Sequence, residues 1–116
     1  MLIVDFRVAK DADWDDSFYV VDAANQPVSL EDAELELTVR FDDPVDPQPE
    51  LLLFASVDNG LIVKDDDATN VFSLAIPYDT VKDIPAGRHY HVLHIITPGK
   101  RQRFWSGAVE FTEPFA

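Results

Sequence analysis

The chain has 116 residues, of which 47% are apolar, and its 22 acidic and 9 basic side chains give a net charge of −13 at pH 7. This length and apolar content predict one folded domain over residues 1–116 and argue against wholesale disorder. The absence of cysteine excludes disulfides, thiolate metal sites and thiol nucleophiles. Because so negative a field repels phosphates, we expect neither a nucleic-acid partner nor a membrane partner.

The charge is unevenly distributed along the chain. Residues 1–50 hold 14 acids and 3 bases, whereas residues 51–116 hold 8 acids and 6 bases. Between Ile84 and Val109 there is no acid, although four bases and all three histidines lie there. The acidity is interpreted either as a solvated, soluble surface or as one side of a polarised module whose acidic and basic ends meet neighbours in an assembly.

Alternation with a period of two is the dominant pattern of the chain. Apolar residues take every second position from Leu2 to Val8, from Leu35 to Phe41 and from Phe72 to Ile76. Each segment is typical of a half-buried strand of five to eight residues.

Turn residues separate these strands. Residues 23–27 predict a turn, and Asn59-Gly60 is the pair best suited to a type I′ hairpin, so residues 51–57 and 61–64 should pair. Pro98-Gly99 suits a type II turn, which predicts a terminal hairpin of residues 88–96 and 101–111.

Helix is poorly supported by the sequence. The best candidate is residues 78–84, about two turns in length, with Thr80 as its cap and Pro85 as its end. The prolines of residues 42–50 predict an extended, exposed connection. Seven to nine short strands and at most one short helical turn predict an all-β fold, either an immunoglobulin-like antiparallel β-sandwich or a partly open barrel, and we favour the sandwich.

Aspartates gather in three clusters. They are Asp11, Asp13, Asp15 and Asp16; Asp42, Asp43 and Asp46; and Asp65, Asp66 and Asp67 with Asn70. Closely spaced oxygen ligands suit calcium, but the central glycine and distal glutamate of an EF-hand loop are missing at the right spacing. The other interpretation is that these are solvated turn residues that bond their own backbone.

The histidines are the residues best suited to metal binding or acid–base chemistry. His89 and His91 share one face of the predicted strand and His94 points to the other, so a zinc or nickel site would need a carboxylate from elsewhere. Half-buried, hydrogen-bonded histidines are the alternative. Since no serine-nucleophile motif and no phosphate-binding glycine loop is present, we expect no enzyme, no catalytic residue, no bound metal and no cofactor.

Residues 101–105 form the strongest surface candidate, because arginine and tryptophan are enriched at interface hot spots. In a regular strand Arg101, Arg103 and Trp105 share one face, with the phenylalanine between them on the other. The alternative is that one aromatic fills the core while the arginine stems cover it. Trp14 has the same two interpretations, a core anchor or an exposed ring for carbohydrate stacking.

The order of these segments resembles a small β-sandwich module of tailed-phage and prophage structural proteins, of the type found at the N-terminus of siphophage baseplate upper proteins. The resemblance covers roughly residues 13–114. Its segments are Asp16-Ser-Phe-Tyr-Val-Val-Asp22, Asn25-Gln-Pro-Val-Ser-Leu30 with Ala33, Val39-Arg40, Ile84-Pro-Ala-Gly87, Pro98-Gly99, Gly107 and Pro114. These are turn and core residues, so the resemblance implies a fold and a setting but no catalytic residue.

This resemblance implies a non-enzymatic virion protein, tail- or baseplate-associated, located in the virion or in the bacterial cytoplasm before assembly. No basic-then-apolar leader opens the sequence, so we expect no secretion signal. The charge polarity favours docking onto copies of itself or onto another virion protein. The expected docking residues are Arg88, Lys100, Arg101, Arg103 and Trp105.

Two other functions stay open at this stage. One is a carbohydrate- or calcium-binding adhesion module that uses Trp14 and an aspartate loop. The other is an acidic decoy that mimics nucleic acid, for which the basic terminal hairpin is an unfavourable feature.

Overall fold

The computed structural model describes residues 2–41 and 49–113. Within these ranges the elements are β1 (Leu2–Ile3), β2 (Phe6–Ala9), β3 (Trp14–Tyr19), β4 (Glu34–Phe41), β5 (Leu51–Ser56), β6 (Ile62–Lys64), β7 (Val71–Ile76), α1 (Tyr78–Val81), β8 (Gly87–Thr97) and β9 (Lys100–Thr112). The prediction of an all-β sandwich with one short helical turn is confirmed. No helix in the described ranges is long and apolar enough to cross a bilayer.

The strands form two sheets. The large sheet has the order β1-β9-β8-β4-β5, with β2 also paired to β9, and the small sheet has the order β3-β7-β6. One cluster of buried apolar side chains fills the space between the sheets. It includes Leu35, Leu37 and Val39 of β4 and Phe72 and Leu74 of β7, all 1% exposed or less, so the predicted alternation in both strands is confirmed.

The predicted terminal hairpin is also confirmed. Strands β8 and β9 pair antiparallel from Thr97 and Lys100 back to Gly87 and Phe111. Gly99 takes a φ of +78°, the left-handed conformation that the turn needs and that glycine adopts without strain. The turn at residues 23–27 forms as predicted and is closed by a bridge between Val21 and Pro27.

The opening segment is not one strand. It splits into β1 and β2, which both pair with β9 in parallel, so the large sheet is not purely antiparallel. At the break, Val4 N donates to the Ser106 carbonyl, and the Ala108 N donates to the Asp5 carboxylate. These contacts keep the segment attached to β9 across the break, and both β1 and β2 pair with β9 in the same register.

The predicted hairpin across Asn59-Gly60 is wrong. Strand β5 pairs with β4 in the large sheet and β6 pairs with β7 in the small one, so the turn carries the chain from one sheet to the other. A type I′ turn needs positive φ at both positions, whereas only Gly60 has it here. Asn59 instead accepts the Ser56 and Leu61 N–H groups with its side-chain oxygen and donates to the Phe54 carbonyl.

Helix α1 is shorter than predicted and Thr80 is not its cap. The Thr80 N–H donates to the Pro77 carbonyl, and Pro77 is the N-cap residue without a side-chain capping bond. The Tyr78 N–H donates to the Asp13 carboxylate at 2.6 Å, so an aspartate from the β2–β3 turn satisfies the helix start. Most of the predicted extended connection, residues 42–48, lies outside the described residues.

Candidate docking face

The side of the large sheet that is turned away from the small sheet is called the outer face here. In β4, β8 and β9 alternate side chains are buried between the sheets, so the residues between them lie on the outer face. Cross-strand pairing extends this assignment to β2 and β5. All five arginines of the chain occupy outer-face positions: Arg7, Arg40, Arg88, Arg101 and Arg103.

Trp105 does not lie with these arginines. It is 2% exposed and its ring contacts Phe18 and Phe72 inside the sandwich. The reason is a β-bulge: Leu93 pairs with Trp105 while His94 pairs with Arg103, so Phe104 is an extra residue that reverses the facing of the strand. The prediction that Arg101, Arg103 and Trp105 share one face is therefore wrong, and the alternative that the aromatic fills the core is confirmed.

An apolar band crosses the outer face between its charged ends. One row of paired residues runs from β5 to β1, and a second runs beside it. Phe54 is 42% exposed and Tyr90 is 52% exposed. The first row consists of Phe54, Thr38, Val92, Ser106 and Ile3. The second row consists of Leu51, Arg40, Tyr90 and Ala108. The band offers apolar contact area that the small sheet, on the opposite side, cannot cover.

The outer face differs in charge from the rest of the described protein. The outer face carries the five arginines against Glu34, Glu36 and Glu110, a net of +2. The remaining described residues hold 16 acids against four lysines, a net of −12. The outer face is thus a locally basic surface on an acidic protein, a difference that long-range electrostatic steering can use.

The arginines differ in how far the chain neutralises them. Arg101 pairs with Glu36 at 3.2 Å, and Arg40 donates to the Pro49 carbonyl at 3.1 Å. Within the described part of the chain Arg7, Arg88 and Arg103 make no ion pair. These three guanidinium groups are the charges most available to a partner.

The arginines of the outer face affect the protonation of His94. It lies on the outer face next to Arg103 and opposite Glu36. Burial, and then the positive charges of Arg101 and Arg103, lower the pKa of the His94 imidazole below its ordinary value, while Glu36 opposes them. We expect His94 to be neutral at pH 7, so it adds no charge to the face.

His89 and His91 are core residues. As predicted they share one face of β8, and both are buried between the sheets. The Nε2 atom of His89 lies 2.7 Å from the Pro85 carbonyl, and that of His91 lies 2.6 Å from the Val4 carbonyl, so each imidazole donates to the backbone. Residues 2–41 and 49–113 bring together no group of three histidine or carboxylate side chains able to hold a metal ion.

Three of the clustered aspartates accept hydrogen bonds from within the protein. Asp65 accepts the Asp67 N–H, as a turn residue does, and Asp13 accepts the N–H at the start of α1. The cluster at residues 42–46 lies outside the described residues. Asp16 accepts the indole N–H of Trp14, which is 3% exposed. Trp14 is therefore the core anchor of the two interpretations, and no ring is exposed there for carbohydrate stacking.

The sequence did not identify Arg7, Arg40 or the apolar band as part of this face. A usable pattern was present, because both arginines occupy polar positions of strongly alternating strands. What could not be inferred is that β2 and β4 lie in one sheet with β8 and β9. Lys100, which was expected here, lies at the hairpin turn at one end of the face.

Comparison with known proteins adds no family to this description. Neither a scan against protein-family models nor a search of curated proteins finds a match to the chain.

Proposed function

We propose that the protein is a non-enzymatic docking module, and that it acts as a tail- or baseplate-associated structural protein of a phage or prophage virion. The single observation that carries the docking proposal is the outer face, where five arginines lie together with an exposed apolar band in a protein of net charge −13. The virion setting rests on the resemblance of the turn and core segments.

The physical argument for docking concerns which residues lie exposed together. Arginine and aromatic side chains are the types that contribute most to interface affinity. Tyr90 and Phe54 supply exposed aromatic area, and Arg88 and Arg103 supply charges without an internal ion pair in the described ranges. Burial of this face against a partner would remove apolar surface from water while its charges select an acidic surface.

The adhesion hypothesis has less support. It needed an exposed ring at Trp14, which is buried, and an aspartate loop that converges on a cation, which the described loops do not. We therefore propose docking alone.

The test is incorporation into particles. Particles purified from bacteria that encode the chain would be analysed by quantitative mass spectrometry for the wild-type protein and for the charge reversal Arg88→Glu/Arg103→Glu. The matched control is Lys10→Glu/Lys82→Glu, which changes net charge equally but away from the outer face, where these lysines pair with Glu113 and Asp79. We expect wild type and control in the particles and the arginine variant absent. Equal incorporation of the arginine variant, or no chain in any particle, would overturn the proposal.

A further inference from the structure

We propose that the partner of the outer face is a second copy of this chain, which docks by the exposed side of its small sheet, so that copies stack front to back. This inference rests on the docking function proposed above and names the occupant of that face.

The exposed side of the small sheet is called the back face here. Alternation places Trp14 and Phe18 of β3 and Phe72 and Leu74 of β7 toward the core, so the residues between them face outward. The outward residues are Asp15, Ser17, Tyr19, Val63, Val71, Ser73 and Ala75. Among them Tyr19 is 72% exposed and Val63 is 49% exposed. None is basic, and Asp15 is the one charged residue.

Charge selects the orientation. The outer face has a net charge of +2. The back face itself carries Asp15, and further aspartates lie where its strands begin or end: Asp11 and Asp13 before β3, and Asp65, Asp66 and Asp67 after β6. Packing two outer faces together opposes arginines to arginines, and packing two back faces together opposes the acidic surroundings of both copies. Of the three arrangements, front to back is the one that brings a face of net positive charge against a face of net negative charge. Arg7, Arg88 and Arg103 have no ion pair within the described residues to give up first.

The two faces also match in shape and chemistry. Each is a sheet surface with exposed aromatic and aliphatic side chains, Tyr90 and Phe54 on one and Tyr19 and Val63 on the other. Two such surfaces can pack face to face as sheets do in a sandwich, about 10 Å apart. The back face limits the contact, because β3 and β7 have six residues each and β6 has three, so the face spans at most about 10 Å by about 20 Å. The interface is therefore small, and we expect weak, salt-sensitive association.

Front-to-back stacking is heterologous. Each pair of copies leaves one outer face and one back face free, so association does not stop at a dimer but continues to an open stack or a closed ring.

Light scattering at protein concentrations up to millimolar, at low and high salt, tests this on the full chain. Arg88→Glu/Arg103→Glu blocks the outer face, and Tyr19→Lys/Val63→Lys blocks the back face. Tyr19 and Val63 are exposed, so we expect their substitution to leave the fold intact. At low salt we expect wild type to grow beyond the dimer with concentration and to return to a monomer at high salt. Each blocked variant alone should stay monomeric, and an equimolar mixture should form a 1:1 dimer and nothing larger. Lys10→Glu/Lys82→Glu should associate like wild type.

Several results would overturn the inference. They are a wild-type monomer at every concentration, growth that stops at a dimer, or a mixture of blocked variants that stays monomeric although circular dichroism melts show both folded. These outcomes are separate from a failure of the docking function. The wild-type protein could stay monomeric in light scattering while the Arg88→Glu/Arg103→Glu variant is still absent from particles. That combination would mean that the outer face docks onto a different protein.

Discussion

Gly107 is the position where a single methyl group should distort the sheet. It lies in β9 opposite His91, beneath the break between β1 and β2. A Cβ built there meets the Val4 carbonyl oxygen at less than any real contact distance, and it meets the Val4 carbonyl carbon at 2.8 Å and the Asp5 Oδ1 at 2.9 Å. Because the first contact is backbone, Gly107→Ala must push the opening segment away from β9.

The displaced segment makes three hydrogen bonds. The Val4 carbonyl accepts from His91 at 2.6 Å, the Val4 N–H donates to Ser106 at 2.9 Å, and the Asp5 carboxylate accepts from Ala108 at 2.9 Å. Losing two of them at about 1 to 1.5 kcal/mol each, with a buried His91 left without its acceptor, costs about 3 to 4 kcal/mol. The lower chain entropy of unfolded alanine returns about 0.5 to 1 kcal/mol. We expect a net loss of about 2 to 3 kcal/mol, a large part of a typical total of 5 to 15 kcal/mol.

Urea denaturation of wild type and variant, followed by tryptophan fluorescence, measures this loss. Trp105 is a suitable probe because it is buried in β9 two residues from the substitution. Amide hydrogen exchange should show the protection of the β1 and β2 segment falling before that of β4 and β8.

Gly99→Ala is the matched control. Gly99 lies in the hairpin turn with φ of +78° and nothing within 4 Å of an added Cβ, so alanine there suffers backbone strain alone, about 1 kcal/mol. A Gly107→Ala loss no greater than the Gly99→Ala loss would refute the reasoning that close backbone approach requires glycine at 107.

Three further predictions concern single side chains. Asn59→Ala should cost about 2 to 4 kcal/mol because three hydrogen bonds of the sheet crossover are lost, whereas Asn59→Asp keeps both accepted bonds and should cost about half as much in the same urea assay. Lys64→Met should lower the free energy of unfolding by about 2 to 3 kcal/mol, because the Lys64 ammonium donates to the carbonyls of Leu30, Glu31 and Ala33. A loss smaller than that of Lys82→Met would contradict this prediction. Burial lowers the pKa of the His91 imidazole below its ordinary 6.5. The contribution of neutral His91 to the free energy of unfolding is therefore fully present above pH 6.5 and is lost as the pH falls below it. His91→Gln should flatten the pH dependence of the free energy of unfolding between pH 7 and 5.

The sequence alone determined the strands whose pattern is local. Strand β4 begins and ends where the alternation of Glu34–Phe41 does, and the β8–β9 hairpin closes at Pro98-Gly99, because adjacent residues choose the pleat and the turn. The burial of His89 and His91 on one side of β8, with His94 on the other, follows from the same period of two.

Only the tertiary structure decided which strands are neighbours and which way the bulged strand faces. Asn59-Gly60 has the composition of a hairpin turn, yet each sheet offers its flanking strand a better partner, so the chain crosses between sheets. The bulge at Phe104 turns Trp105 inward because its ring fills the core against Phe18 and Phe72, which lie far away in sequence. The gathering of all five arginines on one face likewise depends on pairings between distant strands, whose free energies come from packing and not from local propensity.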